Sequence, residues 1–226
     1  MKDLGPQIAW RTVFLVEYLG PLLIHPIVYV LRPFLYSSAP SQASFLQRLS
    51  CILITAHFFK REVETVYVHR FSASTMPARN IYKNSFHYWI LSGVNIAAWI
   101  YAPSSPTALR SSQLFVYGGI AAYLTGEIGN LYSHLVLRAL RSSGGRERGI
   151  PHGLGFDLVT CPNYLFEFIS WIGIYLVTGL SYSVLLFAIV STGQMMVWAK
   201  KKERNYQKEF GDKYHKKRYA MLPGVW

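Results

Sequence analysis

The stretch QLFVYGGIAAYLTGEIGNLYSHL, residues 113–135, is long and apolar enough to cross a bilayer, which takes about 20 residues. Polar residues recur within it and just beyond it at intervals of three or four positions, which places them on one face of a helix. They are Glu127, Asn130, His134, Arg138 and Arg141. The pattern predicts either a polar seam between packed helices or one wall of a cleft for a long anionic ligand.

The composition of the whole chain is typical of a membrane protein. Hydrophobic residues make up 51% of its 226 residues and charged residues only 15%, whereas a soluble domain has about 25% charged residues. We therefore expect an all-α integral membrane bundle of about six transmembrane helices. It would form one domain over residues 1–226, with the basic segment 199–226 as its cytoplasmic tail. The expected spans are Thr12–Val30, Leu49–Val68, His87–Tyr101, Gln113–Leu135, Tyr164–Leu180 and Ser183–Trp198.

The positive charge of the chain follows from this expected topology. The formal net charge is +12, and if both termini are cytoplasmic, 20 of the 23 Lys and Arg residues lie on the cytoplasmic side. Cytoplasmic loops of membrane proteins carry such an excess. The charge therefore indicates a multi-pass protein in a lipid bilayer and no nucleic-acid partner. The two cysteines, Cys51 and Cys161, are too few for a four-ligand zinc site, and we expect no metal.

Ionisable residues inside the expected spans are candidates for function, since each costs about 2.5–3.5 kcal/mol to insert. On a stripe that begins at His57, Glu64 follows Lys60 by four residues and Arg61 by three, which allows ion pairs. The group is either a salt-bridged helix end or part of a rigid site. Glu17 has no obvious local partner in the first span. Because a carboxyl buried in hydrocarbon favours its neutral form, Glu17 is a candidate proton donor.

The sequence CPNY, residues 161–164, opens the fifth expected span. Asn163 is the expected N-cap and Tyr164 the first helical residue, while Glu167 follows one turn later near the positive end of the helix dipole. Asn163, Glu167 and Trp171 share a face of this helix. The chain contains neither a Walker loop nor a GxGxxG turn that opens a strand–helix unit, so a nucleotide would have to bind outside a Rossmann fold.

Several stretches resemble the steroid 5α-reductase family, and in particular its branch of very-long-chain trans-2-enoyl-CoA reductases. The resemblance covers nearly the whole chain in order. The stretches are Asp3–Pro21, Phe59–Thr65, Val68–Ser72, Thr75–Asn84, Gly129–Asn130, Leu137–Arg141, Cys161–Glu167, Ser170–Gly173 and Gln194–Phe210. Eukaryotic members of this branch usually begin with a ubiquitin-like domain, and the sequence resembles the membrane part that follows it.

The resemblance implies an oxidoreductase of the endoplasmic reticulum membrane. Such an enzyme uses NADPH to reduce a very-long-chain trans-2-enoyl-CoA to the saturated acyl-CoA. This is the last step of the fatty-acid elongation cycle, which also serves sphingolipid metabolism. The implied partners are the long-chain enoyl-CoA substrate and other enzymes of the elongation cycle.

The resemblance also implies roles for individual residues. Tyr164 corresponds to the catalytic tyrosine of the enoyl reductases, and Glu17 to a carboxylate on the substrate side. Lys60, Arg61 and Glu64 correspond to an essential charged cluster. The cofactor wall would consist of Asn130, Arg141, Asn163, Glu167, Arg204 and Tyr206, with Arg70 and Arg79 at its rim.

Three other hypotheses stay open. Tyr67 stands two residues before His69, where steroid reductases carry their catalytic tyrosine, and this favours a steroid or polyprenol double-bond reductase. A membrane methyltransferase using S-adenosylmethionine would also place polar motifs at the ends of late helices. Its usual Arg-His-Pro-x-Tyr pattern is matched only poorly by residues 150–153 and by residues 161–164. A non-catalytic membrane scaffold would not require the aligned polar faces.

Overall fold

The computed structural model describes residues 5–37, 42–71, 73–108, 112–142, 145, 148–215 and 219–225, and most of them are helical. The helices are α1 Trp10–Leu35, α2 Phe45–Tyr67, α3 Asn80–Ser85, α4 Ile96–Ile100, α5 Gln113–Ala139, α6 Pro162–Val177 and α7 Tyr182–Phe210, with a π-helix Phe86–Asn95 between α3 and α4. Two short strands, β1 Gln7–Ala9 and β2 Thr75–Pro77, pair antiparallel, and Val159 forms an isolated bridge to Tyr219. The expected helical fold is therefore confirmed, with a small β component added.

The π-helix joins α3 and α4 into one continuous helical stretch, and each helical stretch of the chain runs antiparallel to the next. Four segments therefore meet at one end of the fold. They are the N-terminal segment, the α2–α3 connection, the α5–α6 connection and the C-terminal segment. Hydrogen bonds or ion pairs join them at Trp10–Ser74, Arg70–Arg141 and Arg148–Glu209. We call this end, which carries most of the Lys and Arg residues, the basic end.

At the opposite end, α2 begins with a capping box. Ser44 Oγ accepts from Gln47 N at 3.0 Å, and Gln47 Oε1 accepts from Ser44 N at 3.2 Å. The Gln47 amide also donates to the carbonyl oxygens of Ile100 and Ala102, at 3.3 and 3.2 Å. The residues that start α2 therefore also hold the end of α4 in place.

Helices α5 and α6 touch through their backbones. A Cβ atom at Gly126 would lie 2.4 Å from Ser170 N, and one at Gly173 would lie 2.5 Å from Tyr123 N. Only a residue without a side chain fits at either position, as in other closely packed membrane helices. The contact places the polar face of α5 directly against the first turns of α6.

The fold is apolar both inside and outside. Tyr18, Phe58 and Trp171 belong to a buried cluster that α1, α2, the α3–α4 stretch, α5, α6 and α7 share. Large apolar side chains also face outward on α1, where Val30 is 68% and Phe34 86% exposed. Exposed apolar surface of this kind is typical of a membrane or protein contact.

Two helices in the described part of the chain are long and apolar enough to cross a membrane, Trp10–Leu35 and Tyr182–Lys213. They contain the first and the last expected span. The other four expected spans do not meet this criterion, and α6 has only 16 residues. The third helical stretch begins at Asn80 rather than His87, and the apolar pattern did not indicate its π-helical middle.

The α5–α6 contact predicts a contrast between two glycines of the same helix. Gly126→Ala should lower the free energy of unfolding by about 1–3 kcal/mol, because the added methyl group meets the α6 backbone. Gly118→Ala should leave it unchanged or raise it, because a Cβ at Gly118 meets nothing within 4 Å and alanine favours the helix. Thermal unfolding of both variants in the same detergent measures the difference. Equal melting temperatures would contradict the close contact.

Candidate functional site

Lys60 of α2 joins the polar face of α5 near the basic end. Its Nζ lies 2.9 Å from Glu127 Oε2 and donates to Asn130 Oδ1 at 2.7 Å. The same Nζ lies 3.6 Å from Glu64 Oε1, so the expected i,i+4 pair within α2 is confirmed. Lys60 thus places its positive charge beside carboxylates on two helices.

His57, one turn before Lys60, connects α2 to both α5 and α6. Its Nδ1 lies 2.7 Å from Glu127 Oε1 and its Nε2 lies 3.2 Å from Glu167 Oε1. Both ring nitrogens thus face carboxylate oxygens, an arrangement that a doubly protonated ring satisfies. His57 therefore fixes the spacing of two carboxylates on neighbouring helices.

Asn130 completes the connection to α6. Its Nδ2 donates to the Asn163 carbonyl oxygen at 2.9 Å and to Glu167 Oε2 at 3.2 Å. Trp171 Nε1 donates to Glu167 Oε1 at 3.3 Å, so the expected common face of Asn163, Glu167 and Trp171 is confirmed. The aligned polar residues of α5 and α6 thus form one continuous hydrogen-bonded layer.

Arg61 extends the layer to α1. Its Nη1 donates to Glu64 Oε2 at 2.8 Å, which confirms the expected i,i+3 pair, and its Nη2 donates to Tyr18 OH at 2.7 Å. His134 Nδ1 lies 3.1 Å from the same Glu64 oxygen. We call the whole set the polar network. It consists of Tyr18, His57, Lys60, Arg61, Glu64, Glu127, Asn130, His134, Asn163, Glu167 and Trp171.

Glu17 lies beside the network and is 2% exposed. Although the sequence shows no local partner for it, the side chains of Asn84 and Tyr18 lie close to its carboxyl group. Among the described residues, no group hydrogen-bonds to Glu17 Oε2. Glu17 is therefore a buried carboxyl with one oxygen left for another molecule.

The start of α6 differs from the expected one. The helix begins at Pro162, so Cys161 is the N-cap and the prediction of Asn163 as N-cap is wrong. Proline is favoured at the first helical position because its fixed φ suits the helix and its missing N–H would have no partner there. Asn163 and Tyr164 are consequently the second and third helical residues. Asn163 Oδ1 is buried without a hydrogen-bond partner among the described residues.

Tyr164 lies between α6 and α7. Its ring centroid is 6.4 Å from that of Trp198, and the side chain packs against a small buried cluster that contains Cys161, Met195 and Met221. The chain after α7 closes this cluster from the basic end. Cys161 N donates to the Ala220 carbonyl oxygen at 3.0 Å, beside the Val159–Tyr219 bridge.

The remaining expected cofactor residues lie at the basic end outside the polar network. The guanidinium groups of Arg70 and Arg141 each donate to the backbone carbonyl of the other residue. Tyr206 is buried and stacks on Tyr214 at 5.2 Å, whereas the side chains of Arg79 and Arg204 are exposed. The structure thus does not bring Arg79 or Arg204 to the polar network. The expected site residues that it does bring together are Lys60, Arg61, Glu64, Asn130, Asn163 and Glu167.

Glu64, His69 and His134 also have the composition of a metal site, since one potential ligand atom of each lies within 4.8 Å of the others. However, Arg61 Nη1 lies 2.8 Å from Glu64 Oε2 and 3.4 Å from His134 Nδ1. A guanidinium group already supplies positive charge at this point and would repel a second cation. The arrangement favours an ion-paired cluster.

The structure adds residues that the sequence analysis did not name among the catalytic or cofactor-binding candidates. Three of them, His57, Glu127 and His134, lie on the expected polar stripes. Their helical spacing from Lys60 and Asn130 could have identified them as members of the site. Tyr18 and Asn84 were not identified. Asn84 reaches Glu17 from a segment more than sixty residues away, so no local pattern could reveal it.

The network has the right groups for a nicotinamide ring. A nicotinamide carboxamide offers an NH₂ donor and a carbonyl acceptor. The unpaired Asn163 Oδ1 is an acceptor for such a donor, and the Glu167 carboxylate and Asn130 amide lie next to it. The described residues therefore fit the nicotinamide cofactor that a reductase requires.

The family model described as 3-oxo-5-alpha-steroid 4-dehydrogenase matches residues 74–226. The very-long-chain enoyl-CoA reductase of Dictyostelium discoideum is 43% identical over 222 residues, covering 98% of this chain and 72% of that protein. The trans-2,3-enoyl-CoA reductase-like proteins of Homo sapiens and Bos taurus are 32% and 33% identical, and each match covers 99% of this chain and 62% of the relative. Since the family model includes α5 and α6 with their polar faces, and the matches to the relatives extend over nearly the whole chain, the chain belongs to the steroid 5α-reductase family.

Proposed function

We propose that this chain is an oxidoreductase that reduces a very-long-chain trans-2-enoyl-CoA to the saturated acyl-CoA with NADPH, in the final step of the fatty-acid elongation cycle. The observation that carries the proposal is the buried polar network with the Glu17 carboxyl beside it. The substrate class follows from the relatives, whose names are those of enoyl-CoA reductases. Other enzymes of the elongation cycle are the proposed partners.

The cofactor would be held along α5, α6 and the basic end. Asn130, Asn163 and Glu167 suit its nicotinamide, and the extra 2′-phosphate of NADPH requires a cation such as Arg141. When bound, the cofactor supplies the hydride that the β-carbon of the enoyl group accepts. The proposed outer wall comprises Arg141, Arg204 and Tyr206, with Arg70 and Arg79 at the rim.

The chain's own groups would act on the thioester. Hydride addition at the β-carbon moves negative charge to the thioester oxygen, and a neutral Glu17 carboxyl would stabilise that charge by a hydrogen bond. Tyr164 would then donate its proton to the α-carbon, which completes the saturated bond. The charged cluster of Lys60, Arg61 and Glu64 would act by positioning. Arg61 donates to the hydroxyl group of Tyr18, which adjoins Glu17, and Glu64 pairs with both Arg61 and Lys60.

We also propose that the chain is one membrane domain with six spans and both termini in the cytoplasm, in the endoplasmic reticulum. The antiparallel order of the helical stretches supports this topology, since it brings the N-terminal and C-terminal segments to the same basic end. The basic segment 199–226 would face the cytoplasm there.

The topology predicts the accessibility of the C-terminus. A tag placed after Trp226 should be removed by protease added to intact microsomes, because the C-terminal segment faces the cytoplasm. A tag inserted in the α4–α5 connection should be cleaved only after the membrane is permeabilised. Protection of the C-terminal tag would contradict the proposed orientation.

Tyr67, which the steroid-reductase hypothesis requires as the proton donor, is 71% exposed. A proton donor that acts on a bound alkene is expected in a site from which water is excluded. Tyr164, the proposed proton donor, packs between α6 and α7, whereas Tyr67 is the last residue of α2 and its side chain faces outward. The position of Tyr67 therefore favours the enoyl-CoA reductase.

The activity itself is tested with the purified chain in nanodiscs. With NADPH and a very-long-chain trans-2-enoyl-CoA, we expect NADPH oxidation and formation of the saturated acyl-CoA, followed by absorbance and mass spectrometry. NADH should be less effective by about tenfold or more, since the loss of a charged contact to the 2′-phosphate costs that much. Turnover of a steroid 4-en-3-one in place of the enoyl-CoA, or binding of S-adenosylmethionine in place of NADPH, would contradict the proposal.

The two tyrosines are expected to differ in catalysis. Tyr164→Phe should lower kcat on the order of 10²-fold or more, as is usual for loss of an acid–base group, and should leave NADPH binding intact. Tyr67→Phe is the matched control and should leave kcat nearly unchanged. An inactive Tyr67→Phe with a fully active Tyr164→Phe would reverse the assignment.

A further inference from the structure

A buried carboxyl group lies on α7 at the basic end, next to the small cluster that surrounds Tyr164. Glu203 is 6% exposed and follows Ala199 by four residues and Met195 by eight. This spacing places all three on one face of the helix, the face that packs against Cys161 at the start of α6. A buried carboxyl group costs free energy unless hydrogen bonds compensate for it, and here it has two donors.

The two donors are hydroxyl groups from different segments of the chain. Thr160, two residues before α6 begins, and Tyr214, four residues after α7 ends, both donate to Glu203 Oε2, the tyrosine at 2.7 Å. The two hydroxyl oxygens themselves lie 3.3 Å apart. All three side chains are buried. Hydrogen bonds to a carboxylate are among the stronger ones in proteins. We call these three residues the Glu203 junction.

Backbone hydrogen bonds join the same two segments beside the Glu203 junction. The amide groups of residues 160–161 donate to the carbonyl oxygens of residues 219–220, at 3.2 and 3.0 Å. Met221, which follows, is fully buried in the cluster against which Tyr164 packs. The Glu203 junction therefore connects α7, the start of α6 and the C-terminal segment around the Tyr164 ring.

The direction of the Tyr164 ring depends on this packing. Its hydroxyl group forms no hydrogen bond within the described part of the chain, and its contacts are those with Trp198 and the small cluster. A reacting group that is displaced by about 1 Å can slow a reaction on the order of 10²-fold. The segments that enclose Tyr164 must therefore be held firmly if the tyrosine is to donate its proton efficiently.

We propose that Glu203 is a positioning residue for Tyr164, which acts by holding Thr160 and Tyr214 and, through them, the two segments that enclose the tyrosine ring. Thr160 shares this role, because its hydroxyl group links Glu203 to the start of α6. The inference rests on the proposed function, in which Tyr164 donates a proton to the α-carbon. It adds residues that act on the reaction only through Tyr164.

The test breaks the Glu203 junction and follows proton transfer at saturating NADPH. Thr160→Val keeps the shape of the side chain but not its hydrogen bond, and should lower kcat about tenfold, because a small displacement of the reacting group is sufficient. Proton transfer then limits the rate more strongly, so the ratio of kcat in H₂O to kcat in D₂O should rise. Glu203→Met, which removes the acceptor, should have the same effect. Thr160→Ser, which keeps the hydroxyl group, should behave as the wild type.

Thr178→Val is the matched control for a loss of stability alone. Thr178 is also a buried threonine, and it lies at the other end of α6, where its hydroxyl group donates to the Ile174 carbonyl oxygen at 2.8 Å. Its replacement should lower the melting temperature and leave the ratio of kcat in H₂O to kcat in D₂O as in the wild type.

A double-mutant cycle separates positioning from every other effect on the rate. In a Tyr164→Phe background, Thr160→Val should lower kcat by no more than about twofold, since the hydroxyl group that it would displace is already absent. The proposal is overturned if the two effects multiply, if Thr160→Val leaves kcat and the isotope ratio unchanged, or if Thr178→Val raises the ratio equally. A wild-type protein that does not reduce the enoyl-CoA, or a fully active Tyr164→Phe, would instead refute the proposed function, so the two failures are distinguishable.

Discussion

The pairing of Lys60 with Glu127 between α2 and α5 is the interaction on which the rest of the polar site depends. The charged atoms lie 2.9 Å apart, and the side chains are only 19% and 11% exposed. A buried charge that loses its partner destabilises a protein by about 3–5 kcal/mol, so α2 must keep the register that brings Lys60 to Glu127. His57 and Asn130 then meet their partners as well, because each lies three residues away on the same helical face. One ion pair thus aligns the polar faces of two helices.

The network can form only because α5 and α6 approach without side chains between them. Gly126, directly before Glu127, lies against the backbone of α6, which brings Asn130 to the carbonyl oxygen of Asn163. Charged groups in this position are already paired and oriented before any ligand arrives. Fixed dipoles and charges stabilise a developing charge more effectively than groups that must first reorganise. Close packing and chemistry therefore depend on the same few residues.

Helical spacing predicted the parts of the site that lie within one helix. The pairs of Glu64 with Lys60 and Arg61, and the common face of Asn163, Glu167 and Trp171, follow from intervals of three and four residues. Contacts between distant segments could not be found in this way. Asn84 reaches Glu17 only because the third helical stretch begins at Asn80, a boundary that the apolar pattern placed at His87. The start of α6 differs from the expected one because the helix begins at Pro162, without a capping hydrogen bond from a side chain. Asn163, the expected N-cap, therefore lies inside the helix.

The short pairing between residues 159–161 and 219–220 affects the order in which the protein is assembled during synthesis. Thr160 N and Cys161 N donate to the carbonyl oxygens of Tyr219 and Ala220, and Met221 is fully buried beside them. Translation proceeds from the N-terminus, so these partners emerge only after every helix has been made. Until then, the segment that leads into α6 lacks its neighbour, and Tyr164 lacks one side of its surroundings. The membrane helices can therefore insert and associate first, and the site is completed as a late step of maturation.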